Sequence, residues 1–306
     1  MRQAAPLPSE LFRHIGPATD VPAGDLGVGA REIGYMFGQY KKLVNRYEGV
    51  LTGKGLSYGG LSGRTEATGY GIVFFAREML KACGEELAGK TVAVSGFGNV
   101  TWGTVQKLNQ LGAKVVTISG PDGYCYDPDG IVTEEKINYL LEMRASGRDR
   151  AQDYADKFGV KFVPKAKVWG EKVDICMPCA YQNEIGMVEA QQMVDNGVQY
   201  YIEVANMPTT NEALEFLQKN VKCVAPSKAV NAGGVATSAL EMAQNSMRYS
   251  WEPQEVNEKL QTIMRNIHDA SAKAAEEAGF GYDLVAGANI AGFKKVAEAM
   301  MAQGLI

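Results

Sequence analysis

The chain has 306 residues, 46% hydrophobic and 22% charged, a balance that excludes disordered, collagenous and coiled-coil proteins and leaves room for one large domain or two. Its 31 Lys and Arg stand against 35 Asp and Glu, a formal net charge of -4 with no long run of one sign, so nucleic acid is not an expected partner. No apolar run reaches the ~20 residues of a membrane span, the amino terminus has no secretion-signal centre, and five scattered cysteines fit reduced thiols; a cytoplasmic location is expected. With only two histidines, His14 and His268, proton transfer must fall mainly to carboxylates, lysines or tyrosines.

Apolar groups at helical spacing predict helices over 31–47 and 64–83. The pattern then changes to a buried strand at 91–96, a helix at 99–112 and a second strand at 113–120, which is a βαβ unit with short connections. Further strands are predicted at 160–163, 173–178, 199–205 and 221–226, with helices near 132–158, 186–195 and 211–219. After Pro226 only helices follow, at 230–248, 253–278 and about 283–302. The expectation is an α/β protein with a Rossmann-like, doubly wound, mostly parallel sheet and a helical remnant of a second, substrate domain. Its boundaries are expected at 1–60 for the remnant, 61–280 for the nucleotide domain and 281–306 for a helix returning to the remnant.

Gly96-Phe97-Gly98-Asn99-Val100-Thr101 stands between the first strand and its helix. The first glycine permits a tight turn, and the second lets backbone amides approach a pyrophosphate that also feels the helix amino terminus. Thr101 replaces the third glycine and is expected to open the helix–strand contact slightly. An acid near the end of the second strand would meet the adenosine ribose; Asp122 is in place for this, or else it makes the Pro-Asp-Gly turn. No Arg or Lys shares that turn, which favours NAD over NADP.

Asp25 lies in a stiff loop of small residues behind Pro22 and is the leading candidate for proton transfer, with a helix cap or Asx turn as the structural alternative. Asn206 and Asn231 fall at the carboxyl edge of the sheet, as ligand contacts or as caps. The Cys176–Cys179 pair has redox-motif spacing but reads as structural thiols.

The segments HIGPATDVPAGDLGVGAREIGYMFGQY, LTGKG, RTEATGYG, GFGNV, ISGPDGYCYDP, EVANMPTT, APSKAVNAGGV and LVAGANIAGF resemble, in order, the hexameric bacterial type of glutamate dehydrogenase in the Glu/Leu/Phe/Val dehydrogenase family. The resemblance implies a pyridine-nucleotide enzyme that interconverts L-glutamate with 2-oxoglutarate and ammonia through an iminoglutarate intermediate, using NAD, with NADP possible. It implies that Asp25 passes protons to and from the amino nitrogen, that Gly24, Val235 and Ser238 contact substrate, and that Ser238 takes the distal carboxylate. Cofactor contacts are implied for Thr68, Gly96, Phe97, Gly98, Asn99, Val100, Asp122, Ala180, Asn206 and Asn231. A homo-oligomer, a hexamer in the family, is also implied.

The family's upstream lysine motif, which binds both substrate carboxylates, finds no match before Asp25; Lys54 lies in a different motif, and Lys41 and Lys42 lie on a helix. The expectation is therefore a chain without that part of the substrate domain. Two other readings follow, a non-catalytic dinucleotide-binding module and a dehydrogenase for an apolar amino acid; the hydroxyl of Ser238 argues against the second.

Overall fold

The structure, a computed structural model, describes residues 10–25, 28–63 and 66–304. The chain divides into two compact units, the first Met1–Ala67 with Gly234–Gln261 and the second Thr68–Gly233 with Thr262–Ile306.

In the first unit, helix α1 (Ala30–Val44) presents Ile33, Phe37 and Tyr40 along one face, against Val50 and Leu51. That spacing is the helical repeat, and burying each such side chain contributes roughly 1.5–3 kcal/mol. Glu32 reaches back to accept from the Gly29 amide at 2.9 Å, and Asn45, at φ 52, stops the helix.

The second unit carries helix α2 (Ala67–Ala82), which begins in the first unit at Ala67 and of whose expected span 64 and 65 lie outside the described residues, and then strand β1 (Thr91–Val94), helix α3 (Asn99–Gln110) and strand β2 (Lys114–Val115). β1 pairs in parallel with β2 and with β6 (Ile175–Met177), and β7 (Tyr200–Ile202) and β8 (Cys223–Ala225) extend the sheet in the order β2-β1-β6-β7-β8. Val92, Ala93 and Val94 are fully buried, as a strand covered on both faces requires. The mostly parallel sheet is the expected one.

Two expectations change. The 113–120 strand divides at Val116, whose amide donates to Val92 at 3.0 Å and whose carbonyl accepts from Asp127 at 2.8 Å. Thr117–Gly120 (β3) then turns back through Pro121-Asp122 to Gly123–Tyr126 (β4), and β4 pairs with Lys161–Pro164 (β5), so the 160–163 segment joins a three-stranded antiparallel sheet instead of the parallel one. Gly123 is needed there: its φ is 146, and a Cβ would lie 2.2 Å from the Val163 carbonyl oxygen. The helical stretch 132–158 likewise becomes α4 (Glu134–Ser146) and α5 (Gln152–Phe158), broken at Gly147 and Asp149, both at positive φ.

Helices α6 (Met187–Asp195), α7 (Asn211–Asn220) and α8 (Ser227–Val230) separate and follow the later strands. Helix α9 (Gly233–Met247) from Gly234 onward and the first part of α10 (Pro253–Glu277) belong to the first unit, and the rest of α10 and α11 (Leu284–Gln303) to the second. These boundaries differ from the expected ones, and the C-terminal helix packs within the second unit, on β8 and on α10, where a Cβ on Gly287 would lie 1.9 Å from the Ser271 carbonyl oxygen. His268 is a packing residue of this region, bonded to the Tyr282 hydroxyl at 2.7 Å and edge-on to Phe75. Among the described residues no helix is long and apolar enough to cross a membrane.

Candidate functional site

β1 ends at Val94, Ser95 follows, and the chain turns through Gly96 at φ 74, a conformation that costs residues with a Cβ roughly 1–2 kcal/mol. The Gly96 amide donates to Ser119 Oγ at 2.9 Å, which ties the turn to β3. Gly98 is a glycine for another reason. Its φ is -72, and a Cβ built there meets nothing within 4 Å, so neither strain nor the chain's own packing demands the absence of a side chain. It is the N-cap of α3 without any side-chain cap, leaving first-turn amides and the positive end of the helix dipole to a ligand. Thr101 does not loosen the helix–strand contact as expected; it is buried, and its hydroxyl donates to the Ser95 carbonyl at 3.1 Å.

Gly96, Phe97 and Gly98 open onto a cavity of about 700 Å³ whose other walls are Ser119–Pro121 and Cys179–Tyr181, Ala180 included. The strand order reverses between β1 and β6, and the cavity collects the segments that follow those two strands, the place where open α/β sheets bind ligands. The space and the glycine cradle fit a dinucleotide. Burial pushes the thiol of Cys179 up, as it does that of Cys176, so neither is a ready nucleophile.

Asp122 has a different task from the expected one. One carboxylate oxygen accepts from the Ala151 amide at 2.8 Å and the other from Gln152 at 3.0 Å, so it anchors the start of α5 to the β3–β4 turn and does not line the cavity. Three basic side chains absent from that turn do line it: Arg144 from the last turn of α4, Lys165 at the end of β5, and Lys167. Sequence reasoning missed them because the antiparallel sheet, itself unforeseen, brings them there.

Other expected contacts lie outside the cavity lining. Asn99 and Val100 form the first turn of α3. Thr68 stands beside Gly69, where a Cβ would lie 2.4 Å from the Thr104 amide nitrogen, so α2 and α3 touch at backbone distance. Asn231 donates to Asn206 Oδ1 at 2.8 Å and to the Val204 carbonyl at 3.3 Å, which joins the two asparagines at the sheet's carboxyl edge.

In the first unit Asp25 is exposed, and its carbonyl accepts from Val28 at 2.8 Å. It does not cap α1, whose N-cap is Gly29. Gly24 fits only as glycine, since a Cβ would lie 2.6 Å from the Val28 carbonyl oxygen. Thr52 connects this loop to the other predicted substrate residue: its amide donates to Pro22 at 3.0 Å and its hydroxyl to Ser238 Oγ at 3.0 Å. Ser238 is buried, whereas Val235, one turn earlier on α9, is 69% exposed.

One turn after Ser238, Glu241 receives the amides of Gly53 at 2.9 Å and Lys54 at 3.3 Å, and the Lys54 ammonium at 2.8 Å, with both side chains at 1% exposure or less. Lys54 also donates to the Leu51 carbonyl. Thr52, Lys54 and Glu241 were the residues sequence reasoning missed; the LTGKG segment was the available signal, and its partner on α9 was not. A second cavity in this unit, about 820 Å³ and bounded by Tyr47, Arg248 and Tyr249 among others, contains none of the predicted site residues.

This arrangement, a parallel sheet with a glycine turn at its switch point, defines a dinucleotide-binding α/β protein. Residues 59–304 match the model of the Glutamate/Leucine/Phenylalanine/Valine dehydrogenase family, and residues 2–42 match the Glu/Leu/Phe/Val dehydrogenase dimerisation domain. The chain belongs to that family. It is 64% identical over 307 residues to a protein named NAD-specific glutamate dehydrogenase from Clostridium symbiosum, covering all of this chain and 68% of the relative. It is 54% identical to one named NAD(P)-specific glutamate dehydrogenase from Xylanibacter ruminicola, again covering all of this chain and 68% of the relative. A solved structure titled glutamate dehydrogenase superposes with a TM-score of 0.98 at 64% identity, covering 99% of this chain and 68% of that one. The chain thus spans about 68% of the length of the relatives it matches.

Proposed function

We propose that this protein is a glutamate dehydrogenase, an oxidoreductase that reversibly converts L-glutamate and water to 2-oxoglutarate and ammonia with NAD as hydride acceptor. The observation that carries the reading is Gly98: open space where a Cβ would stand, at an uncapped helix start on the wall of a cavity. The high identity to relatives bearing that name supports the substrate. When bound, the nicotinamide supplies the carbon that receives hydride. The chain's own residues do the rest. The turn Gly96–Val100 holds the diphosphate with amides, and Phe97 and Ala180 wall the cavity. Thr68, Asn206 and Asn231 are proposed cofactor contacts on the same unit.

On the first unit we assign Asp25 the proton traffic of the substrate nitrogen, Gly24 and Val235 to substrate contact, and Ser238 to the distal carboxylate. The Thr52–Ser238 hydroxyl pair supports a polar substrate end over an apolar one, because a buried hydroxyl left facing an alkyl chain is costly. Arg144 and Lys165 bring positive charge to the cavity, which supports acceptance of NADP beside NAD. A homo-oligomer, hexameric as the family resemblance implies, accords with the dimerisation-domain match, and a cytoplasmic location goes with the same reading.

The test is a spectrophotometric series on the purified chain with NAD and with NADP, each with and without glutamate. Glutamate-dependent formation of reduced NAD, with a higher glutamate KM in Ser238→Ala, supports the reading and shows that the upstream lysine motif is not required for turnover. Binding of NADH without any turnover would favour the dinucleotide-binding module instead.

A further inference from the structure

Beneath the dinucleotide cavity lies a carboxyl that the proposed chemistry does not use. Glu184 is buried, between β6 and α6, and its Oε2 accepts from Ser95 Oγ at 2.8 Å. That Oγ accepts in turn from the amides of Cys179 at 2.9 Å and Ala180 at 3.2 Å. A hydroxyl has one proton and two lone pairs. Both lone pairs face N–H groups, which cannot reverse, so the Ser95 proton has to point at Glu184 and Glu184 has to accept. Ser95 is the last residue before the glycine turn, Cys179 and Ala180 form the opposite wall, and a Cβ on Gly96 would lie 3.5 Å from the Ala180 Cα.

We propose that Glu184 is a positioning residue for the dinucleotide site, holding the Cys179–Tyr181 wall against the glycine turn through Ser95, and that the site closes properly only around its carboxylate form. The inference rests on the dinucleotide reading above. The amides of Ala180 and Tyr181 also favour the charged form, so protonation would turn an O–H toward N–H donors. Burial, the largest effect, nevertheless pushes this carboxyl up to about 7, with the Ser95 hydroxyl the leading opposing influence.

Among the described residues, Lys167 donates to the Glu184 carbonyl at 2.7 Å and to Glu189 Oε1 at 2.8 Å, and the Cys179 thiol and the Tyr201 hydroxyl, the latter bonded to Thr209 at 2.6 Å, also face it. Burial pushes the thiol and the phenol up, so both keep their protons near neutrality and Glu184 is the member of the set that titrates there.

The signs are opposite for folding and for binding. A carboxyl raised in the folded chain contributes stability below the ordinary carboxylate range of 4.5 that is lost as pH rises to about 7. Dinucleotide affinity, which requires the ionised form, instead falls as pH drops through about 7, by up to about tenfold per pH unit where only that form binds.

The experiment is titration of the full chain with NADH by fluorescence between about pH 6 and 8.5, for the wild type, Glu184→Gln and Ser95→Ala, with thermal melts at each pH. The wild type is expected to lose affinity several-fold on acidification while its melting temperature does not fall. Glu184→Gln is expected to bind more weakly at the alkaline end and with a flat profile, and Ser95→Ala, which keeps the carboxyl and removes the relay, to show the same flat profile if the first variant does not fold. A flat wild-type profile, or an unchanged slope in a folded variant, overturns this inference alone. No NADH binding by folded wild type at any pH overturns the dinucleotide reading and this inference together.

Discussion

Gly96 and Gly98 are two residues apart and are glycines for different causes. Gly96 is imposed by the backbone, at φ 74 with the Thr101 hydroxyl 3.2 Å from where a Cβ would stand, so Gly96→Ala is expected to cost about 1–2 kcal/mol in chemical denaturation. Gly98 sits at an ordinary φ with open space beside it. Gly98→Ala should therefore cost no more than the roughly 0.5–1 kcal/mol of a poorer N-cap residue and weaken NADH binding about tenfold or more by calorimetry; a loss of stability with no loss of NADH binding would remove the reason for placing a ligand there. The Lys54–Glu241 pair makes a second residue-scale case. Removing one partner leaves a buried, unpaired charge, so Lys54→Met or Glu241→Gln should destabilise the first unit by about 3–5 kcal/mol. The readout is denaturation followed through Trp251, the one tryptophan of that unit.

Among the elements, the β3–β4 turn was the hardest to read. Thr117–Gly120 and Gly123–Tyr126 are too short to announce two strands, and Ala113–Gly120 reads as one continuous strand. What divides it is hydrogen bonding beyond the segment: Val116 gives its amide to one sheet and its carbonyl to the other. Asp122 illustrates the consequence. In sequence it is an acid at the right distance from the glycine turn; in the fold its oxygens hold two amides of the segment that opens α5. Asp122→Ala should lower stability by about 1–3 kcal/mol and speed hydrogen exchange at the Ala151 and Gln152 amides. Protection unchanged at those two amides would mean that the carboxylate is not their partner in solution. The βαβ unit, by contrast, was legible because β1 is apolar and β-branched and α3 has the 3.6-residue repeat, both local properties.

For the whole molecule, the two units report separately. Trp102 and Trp169 lie in the second and Trp251 in the first, so NADH in Trp251→Phe should raise the midpoint of the emission transition, by about 2.7 kcal/mol of stabilisation at a hundredfold excess over Kd. No shift at saturating NADH would count against a site in the second unit. The amino-acid sequence by itself determined the α/β class, the glycine turn, the run of helices after Pro226 and the family resemblance, because periodicity and motif spacing are carried by neighbours along the chain. Only the tertiary structure decided where α9 and α11 belong, which cations line the cavity and that Glu184 stands behind Ser95. Those depend on contacts between residues far apart in sequence, such as Ser95 and Glu184 at a separation of 89, and no local pattern of charge or hydrophobicity encodes them.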